Sequence, residues 1–379
     1  MTRRERLMAT LRGEPVDRPA VNLYELGGYI PHYRNSDPFN VYNDPSWTPL
    51  LDLAWEQTDL IQLVGLLAGH ACPECVSEYV KREEYLENGS KFTRTTVEVA
   101  GRSLTSLTRR DPDIDTIWTL EHLLKDTSDL EAYIQLPDEA FTFITDIPAM
   151  AAMDEKMGDR GIVMVDTPDP LCVAAGLFSM EDYTIIALTE QELFHRLLVR
   201  ISEGLYPAVR TVAEGFPGHL WRIYGPEYAT EPYLPPYLFE EYVVRYTGHI
   251  VDLIRSHSGF ARIHCHGRIK KALPYIVAMG TSAIDPVEPP PQGDVELADV
   301  RREYGRDLIL FGNIEVSDIE NMEPAEFRKV VEKSLRNGTI GDGRGFVLMP
   351  TSAPYGRTIS STTITNYQTM VELALNFST

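Results

Sequence analysis

The chain has 379 residues, of which 43% are hydrophobic and 24% charged, with a formal net charge of -21 at pH 7. This composition is typical of a globular protein with a large core and excludes an intrinsically disordered chain. The acidic balance argues against a protein that binds nucleic acid or anionic membranes, because both need a basic surface.

The sequence also bears on the cellular compartment. No apolar stretch approaches the roughly 20 residues that a membrane span needs, and residues 1–6 lack the apolar run of a signal peptide. The four cysteines, at positions 72, 75, 172 and 265, are too few for a disulfide framework. We therefore expect a cytoplasmic protein. A single C-x-x-C, formed by Cys72 and Cys75, is interpreted as structural or incidental.

Predicted elements in the first part of the chain form no regular repeat. Thr2 and Glu5 make a capping-box pattern that predicts a short helix up to Arg12. Polar and apolar residues alternate over residues 76–110, with turn residues at Asn88-Gly89 and Ala100-Gly101, which predicts an antiparallel β-meander. The remaining predictions are strands at 20–23 and 60–64 and helices at 50–58, 121–133 and 139–157.

From residue 161 onward, short apolar strands alternate with amphipathic helices. Predicted strands lie at 162–165, 220–224, 261–264, 282–285, 308–311 and 346–349. Predicted helices follow at about 193–212, after a second capping box at Thr189–Glu192, and at 236–256, 269–279, 295–304, 325–337 and 362–376. Eight strands with intervening helices predict a (β/α)₈ barrel. We expect residues 1–379 to form one barrel domain, with the 76–110 meander as an insertion.

In such a barrel, the residues at the C-terminal ends of the strands carry the chemistry. The candidate catalytic residues there are Glu25, Asp166, Glu288 and Asn313. The candidates for binding a flat substrate are Tyr24, Tyr29 and Tyr355. Each carboxylate could equally hold a loop by accepting backbone N–H groups, and each tyrosine could pack at the rim.

The sharpest local pattern is His264-Cys265-His266. On a strand, the two histidines share a face and could bind zinc with a carboxylate, leaving an open coordination position. Glu227 and Glu241 are the candidate carboxylate ligands. In the alternative interpretation, one histidine hydrogen-bonds substrate or a carboxylate and the other supports it.

At these residues, the chain resembles the uroporphyrinogen decarboxylase superfamily. The similarity starts with Arg4-Glu5-Arg6 and Leu11–Pro19 and continues through Glu288-Pro289-Pro290-Pro291, Gly312-Asn313-Ile314 and Gly345–Leu348. It implies a barrel with N-terminal additions. One branch of the family decarboxylates a tetrapyrrole with many carboxylates, and its first-strand loop is arginine-rich. Residues 24–29 contain no arginine.

The other branch contains cobalamin-dependent methyltransferases, whose zinc site resembles His-x-Cys plus a later cysteine. Here His266 and Thr351-Ser352 stand at those cysteine positions, so the donors are nitrogen and oxygen rather than thiolate. Such a set suits activation of an ether oxygen.

The resemblance therefore implies transfer of a methyl group from a small methylated substrate, such as an aryl methyl ether, to a corrinoid protein. Zinc would be held by Glu227, Glu241 and His264, with His266 as alternate. The competing interpretations are a decarboxylase-like lyase and a non-catalytic ligand-binding barrel.

Overall fold

The computed structural model describes residues 1–24, 26 and 36–377, and shows a closed parallel barrel with an antiparallel excursion. Its strands are β1 (Ala20–Val21), β2 (Leu60–Gly65), β3 (Gly69–His70), β4 (Val80–Glu87), β5 (Ser90–Val99), β6 (Arg102–Arg110), β7 (Ile117–Glu121), β8 (Phe143–Ile144), β9 (Gly161–Pro168), β10 (Leu220–Tyr224), β11 (Phe260–His264), β12 (Ala283–Asp285), β13 (Ile309–Ile314) and β14 (Phe346–Pro350).

Eight of these strands form the barrel wall. The sheet runs β1-β14-β13-β12-β11-β10-β9-β2, with neighbouring strands parallel. The backbone N–H of Asp59, next to β2, donates to the carbonyl of Val21 at 2.8 Å and closes the ring beside β1. The predicted (β/α)₈ barrel is therefore confirmed. The single-domain assignment stays a prediction.

Helices surround the wall and close one end of it. They are α1 (Arg3–Arg12), α2 (Thr48–Gln57), α3 (Pro73–Ser77), α4 (Thr127–Tyr133), α5 (Ile147–Met157), α6 (Pro170–Ala175), α7 (Met180–Thr189), α8 (Gln191–Gly215), α9 (Tyr237–Phe239), α10 (Arg245–Ser256), α11 (Leu273–Ala278), α12 (Leu297–Tyr304), α13 (Val316–Asn321), α14 (Pro324–Thr339) and α15 (Ser361–Leu375), with a π-turn at Glu240–Val244 between α9 and α10. The predicted capping box of α1 forms, with Thr2 accepting from the backbone of Glu5. Within the described chain, no helix is long and apolar enough to cross a membrane.

The predicted meander is present as a separate antiparallel sheet, β4-β5-β6-β7. Its first two turns lie where the sequence placed them, since Asn88 and Ala100 both have φ of +50°. The sheet has a fourth strand, β7, that the sequence did not predict. For this reason the helix expected from residue 121 begins only at Thr127, where the side chain of Asp126 caps it.

Two further helix predictions were wrong in part. The expected helix over 139–157 starts only at Ile147, because Phe143–Ile144 pair with β3 instead. Thr189 does not cap a helix: it is the last residue of α7, which begins after its own cap, Ser179. The long helix α8 then starts at Gln191 without a side-chain cap.

The barrel interior has an apolar lower part and a charged upper part. Leu7 and Leu11 of α1 pack against the inward residues of the lower strands and close that end. Because side chains alternate along a strand, Ile162 and Met164 inside the barrel put Asp166 inside as well. The same alternation brings charged residues of β10, β11 and β12 into the upper lumen, near the C-terminal rim.

Candidate active site

Asp285 is the centre of the charged layer in the lumen. Its Oδ1 lies 3.0 Å from Nε of Arg262, and its Oδ2 lies 2.8 Å from Nδ1 of His264. The side chains of Asp285 and Arg262 are both fully buried. Burial raises the pKa of Asp285, but the charges of Arg262 and His264 outweigh it and lower that pKa to about 2. The carboxylate is therefore ionised and fixes both partners in place.

A second ion pair lies beside the first. Asp166 of β9 accepts two hydrogen bonds from Arg222 of β10, from Nε at 2.7 Å and from Nη2 at 3.1 Å. The charge of Arg222 also contributes to the low pKa of Asp285. Asp166, predicted as a catalytic carboxylate, is thus the bidentate partner of an arginine. Sequence analysis missed Arg222 and Arg262, although their inward register on the strands could have revealed them.

His266, just beyond β11, forms an ion pair at the mouth of the barrel. Its Nδ1 lies 2.7 Å from Oε1 of Glu288, whose Oε2 accepts the backbone N–H of Gly267 at 2.6 Å. Burial lowers the pKa of His266, but the hydrogen bond and charge of Glu288 outweigh it, so this pKa is raised, with a further contribution from Glu227. Burial raises the pKa of Glu288, and His266 more than offsets it. The arrangement favours a protonated imidazole held by a carboxylate.

The two histidines adjoin each other at the mouth. Their ring centroids are 4.6 Å apart and the rings are nearly perpendicular, at 89°. The ring of Tyr24 lies 6.2 Å from that of His264. Since each Nδ1 is occupied by a carboxylate, each Nε2 is the nitrogen left for a ligand. This places His264, His266, Glu288 and Tyr24, all predicted site residues, around one opening.

Metal-binding histidines are also oriented by a carboxylate on the nitrogen that does not bind the metal, which makes the positions of the predicted zinc ligands relevant. Glu241 lies elsewhere, half-exposed, 3.8 Å from His195 and 3.9 Å from Arg245. Over residues 1–24, 26 and 36–377, no three His, Cys, Asp or Glu side chains form a group that could hold a metal. The described donors therefore do not complete a zinc site, and zinc stays a prediction.

Glu315 is a site residue that sequence analysis missed. It follows Gly312-Asn313-Ile314 and is only 7% exposed. Its Oε2 accepts a long hydrogen bond of 3.3 Å from the hydroxyl of Thr351, and its Oε1 has no hydrogen-bond partner within the described chain. Burial and the nearby charge of Glu288 raise the pKa of Glu315 to about 7. The position of Glu315 directly after a strand end was the available signal.

The remaining candidates do not converge on the histidines through direct bonds. Asn313 accepts a hydrogen bond of 2.8 Å from Ser334 of α14. Glu227 accepts one of 3.2 Å from the N–H of Gly225, and its charge reaches His266. Tyr355 is 47% exposed, and its hydroxyl lies 2.6 Å from that of Ser352. Glu25 and Tyr29 lie outside the described residues.

Comparison with known proteins identifies a family and solved structures of similar fold. The sequence profile described as uroporphyrinogen decarboxylase (URO-D) matches residues 113–376. A methyltransferase from Methanosarcina mazei has a similar fold, with a TM-score of 0.62 at 16% identity, over 100% of this chain and 99% of that one. The Bacillus subtilis mannanase BCman reaches a TM-score of 0.42 at 9% identity, over 94% and 87% of the two chains. No curated protein matches the sequence.

Proposed function

The chain belongs to the uroporphyrinogen decarboxylase family, and on that premise we propose that it transfers a methyl group from a small methyl ether, such as a methoxylated aromatic, to a corrinoid protein. The observation that carries the proposal is the His266–Glu288 ion pair at the barrel mouth, with Nδ1 and Oε1 2.7 Å apart. Methyl transfer on this barrel is also in keeping with the Methanosarcina mazei methyltransferase, which shares its fold.

The ion pair suits the difficult part of that reaction, the departure of an aryl oxygen. A phenolate leaves a methyl carbon slowly unless its oxygen is protonated as the bond breaks. Glu288 raises the pKa of His266 and so favours the protonated imidazole, whose Nε2 can donate that proton. A well-placed acid of this kind contributes about 10²- to 10⁴-fold to the rate. After the transfer, neutral His266 regains its proton from water.

A corrinoid in its cobalt(I) state, carried by a partner protein, would supply the nucleophile that accepts the methyl group. This chain binds and orients the donor. The ring of Tyr24 beside His264 offers an aromatic surface to a flat substrate. Asp285 fixes the orientation of His264, and Glu288 does the same for His266. The partner would dock over the C-terminal rim, because α1 packs across the opposite end of the barrel.

The charged layer of the lumen speaks against decarboxylation of a porphyrinogen. A substrate with many carboxylates needs cations at the mouth. The two lumen arginines lie opposite carboxylates, Arg222 with Asp166 and Arg262 with Asp285. Each positive charge thus has a negative one within 3.0 Å, and residues 24–29 add no arginine. The layer has little positive charge to offer an anionic substrate.

The proposal is tested with free cob(I)alamin as the methyl acceptor and a panel of methyl ethers, methylamines and methylthiols. Loss of the cobalt(I) absorbance reports methylation. We expect turnover with aryl methyl ethers and a loss of about 100-fold or more in His266→Gln. His257→Gln, at a histidine on the C-terminal end of α10, is the matched control and should keep full activity. Transfer from thiols or amines but not from ethers would contradict the proposal.

A further inference from the structure

The half-exposed cysteines Cys72 and Cys75 are joined by a disulfide bond, which sequence analysis did not predict. They lie at the start of the five-residue helix α3, on the segment that leads from β2 to the antiparallel sheet. This segment leaves the barrel at the C-terminal rim, where the N–H of Leu66 donates to the carbonyl of Asp166 at 2.9 Å. The disulfide therefore lies on a segment outside the barrel wall.

A structural role explains this bond poorly. A disulfide stabilises a fold mainly by closing a loop of the unfolded chain, and the shortest loops gain least. The sulfur atoms of Cys72 and Cys75 are only three residues apart in sequence. The bond ties α3 to its N-cap residue, Cys72, and joins no two elements of the fold. Its formation and reduction would leave the barrel intact.

We propose that Cys72 and Cys75 form a thiol–disulfide exchange site for a dithiol reductant. The geometry also distinguishes the two sulfurs. The backbone N–H of Cys75 donates to Sγ of Cys72 at 3.3 Å. A hydrogen bond of this kind stabilises a thiolate, so Cys72 is the better leaving group and Cys75 is the sulfur that a reductant attacks.

The exchange proceeds in two balanced steps. A thiolate of the reductant bonds to Sγ of Cys75, the Cys72–Cys75 bond breaks, and Cys72 departs with the electron pair and takes a proton from water. The second thiol of the reductant then loses its proton and bonds to the first sulfur of the reductant, which releases Cys75 as a thiol. Two electrons and two protons have moved to the protein, and the reductant leaves as its disulfide.

The other two cysteines provide an internal control. Cys265 is 1% exposed, and burial raises the pKa of its thiol well above the ordinary range. Burial likewise raises the pKa of Cys172, beside Asp169. Cys265 is therefore inaccessible to alkylating reagents while the protein is folded, and Cys172, which is partly exposed, has little reactive thiolate.

The first test counts thiols in the folded protein. Wild-type protein is incubated in buffers of reduced and oxidised dithiothreitol and quenched with a maleimide, and the mass of the intact protein is then measured by mass spectrometry. We expect two thiols to be alkylated rapidly after reduction and neither of these to be alkylated after reoxidation. The circular dichroism spectrum should stay unchanged throughout. Reduction that requires denaturant, or a pair that stays as two thiols in oxidised dithiothreitol, would overturn the proposal.

The second test compares two single variants, each of which leaves one thiol. In Cys75→Ser the N–H of residue 75 remains and still faces Sγ of Cys72. Cys72→Ser is the matched variant, in which Cys75 lacks that donor. We expect iodoacetamide at pH 7 to alkylate the thiol of Cys75→Ser several-fold faster than that of Cys72→Ser. Equal rates, or the reverse order, would refute the assignment of Cys72 as the departing thiolate.

Discussion

Replacing Asp285 with asparagine removes one negative charge from the lumen and leaves the size of the side chain almost unchanged. Arg262 would then lose the carboxylate that lies 3.0 Å from its Nε, and His264 would lose the partner of its Nδ1. Removing one partner of a buried ion pair typically costs about 3–5 kcal/mol. We expect the Asp285→Asn variant to lose that much in its free energy of unfolding.

Urea unfolding at pH 7, with the barrel followed by tryptophan fluorescence, measures this loss. Asp299→Asn is the matched control, since Asp299 pairs with Arg302 at 2.8 Å while both side chains are exposed. Exposed pairs of this kind contribute about 0–1 kcal/mol. The two variants make the same chemical change, so the difference between them isolates the effect of burial.

The pH dependence provides a second criterion. The pKa of Asp285 falls from 3.8 to about 2 in the folded protein. A depressed carboxyl pKa contributes stability that is present above the unfolded value and is lost as pH falls through the folded one. The gap between wild type and Asp285→Asn should therefore stay constant from pH 7 to about pH 4 and shrink below it. A loss at pH 7 no larger than that of the control would refute the reasoning about the buried cluster.

Three other predictions follow from the site. The pKa of Glu315 is raised from 4.5 to about 7, so its contribution to stability is present below pH 4.5 and is lost as pH rises through 7. The difference in unfolding free energy between wild type and Glu315→Gln should therefore change by about 3 kcal/mol between pH 4.5 and pH 7. A difference that stays constant over this range would contradict the prediction. Glu288 raises the pKa of His266, so methyl transfer should decline at alkaline pH, and in Glu288→Gln the decline should move to lower pH; an unmoved profile would remove His266 as the acid. Elemental analysis of protein purified without chelator tests the zinc prediction. Zinc that is stoichiometric in wild type and lost in His264→Ala would support it, and a zinc-free protein that is active would contradict it.

The barrel could be predicted from the sequence because its signal is repeated. Eight short apolar segments alternate with helical patterns, and each segment independently predicts one strand of the barrel wall. The predictions of elements that were wrong each depended on one local pattern, which another feature of the sequence overrode. Thr189 matches a capping box, but Ser179 had already begun a helix that runs through it. β7 is an exposed edge strand whose pairing with β6 the sequence does not reveal.

The site could be predicted only where the chemistry sits at strand ends. His264, His266 and Glu288 follow two neighbouring strands, and the structure brings them together. Glu241 is also near the rim in sequence, but it lies on the π-turn of an outer helix, beside His195. The pairing of Arg262 with Asp285 depends on which side chains of two neighbouring strands point into the barrel. The residues at the strand ends alone do not give that information.

Transfer of the methyl group from ether to cobalt can be followed directly with a labelled methyl group. The purified protein is incubated with a methoxylated aromatic that carries a trideuterated methyl group and with cob(I)alamin, and both products are measured by mass spectrometry. We expect one labelled methylcobalamin for each free phenol, and we expect His266→Gln to lose the formation of both products together. Phenol released without labelled methylcobalamin, or carbon dioxide released from a porphyrinogen by the protein alone, would contradict it.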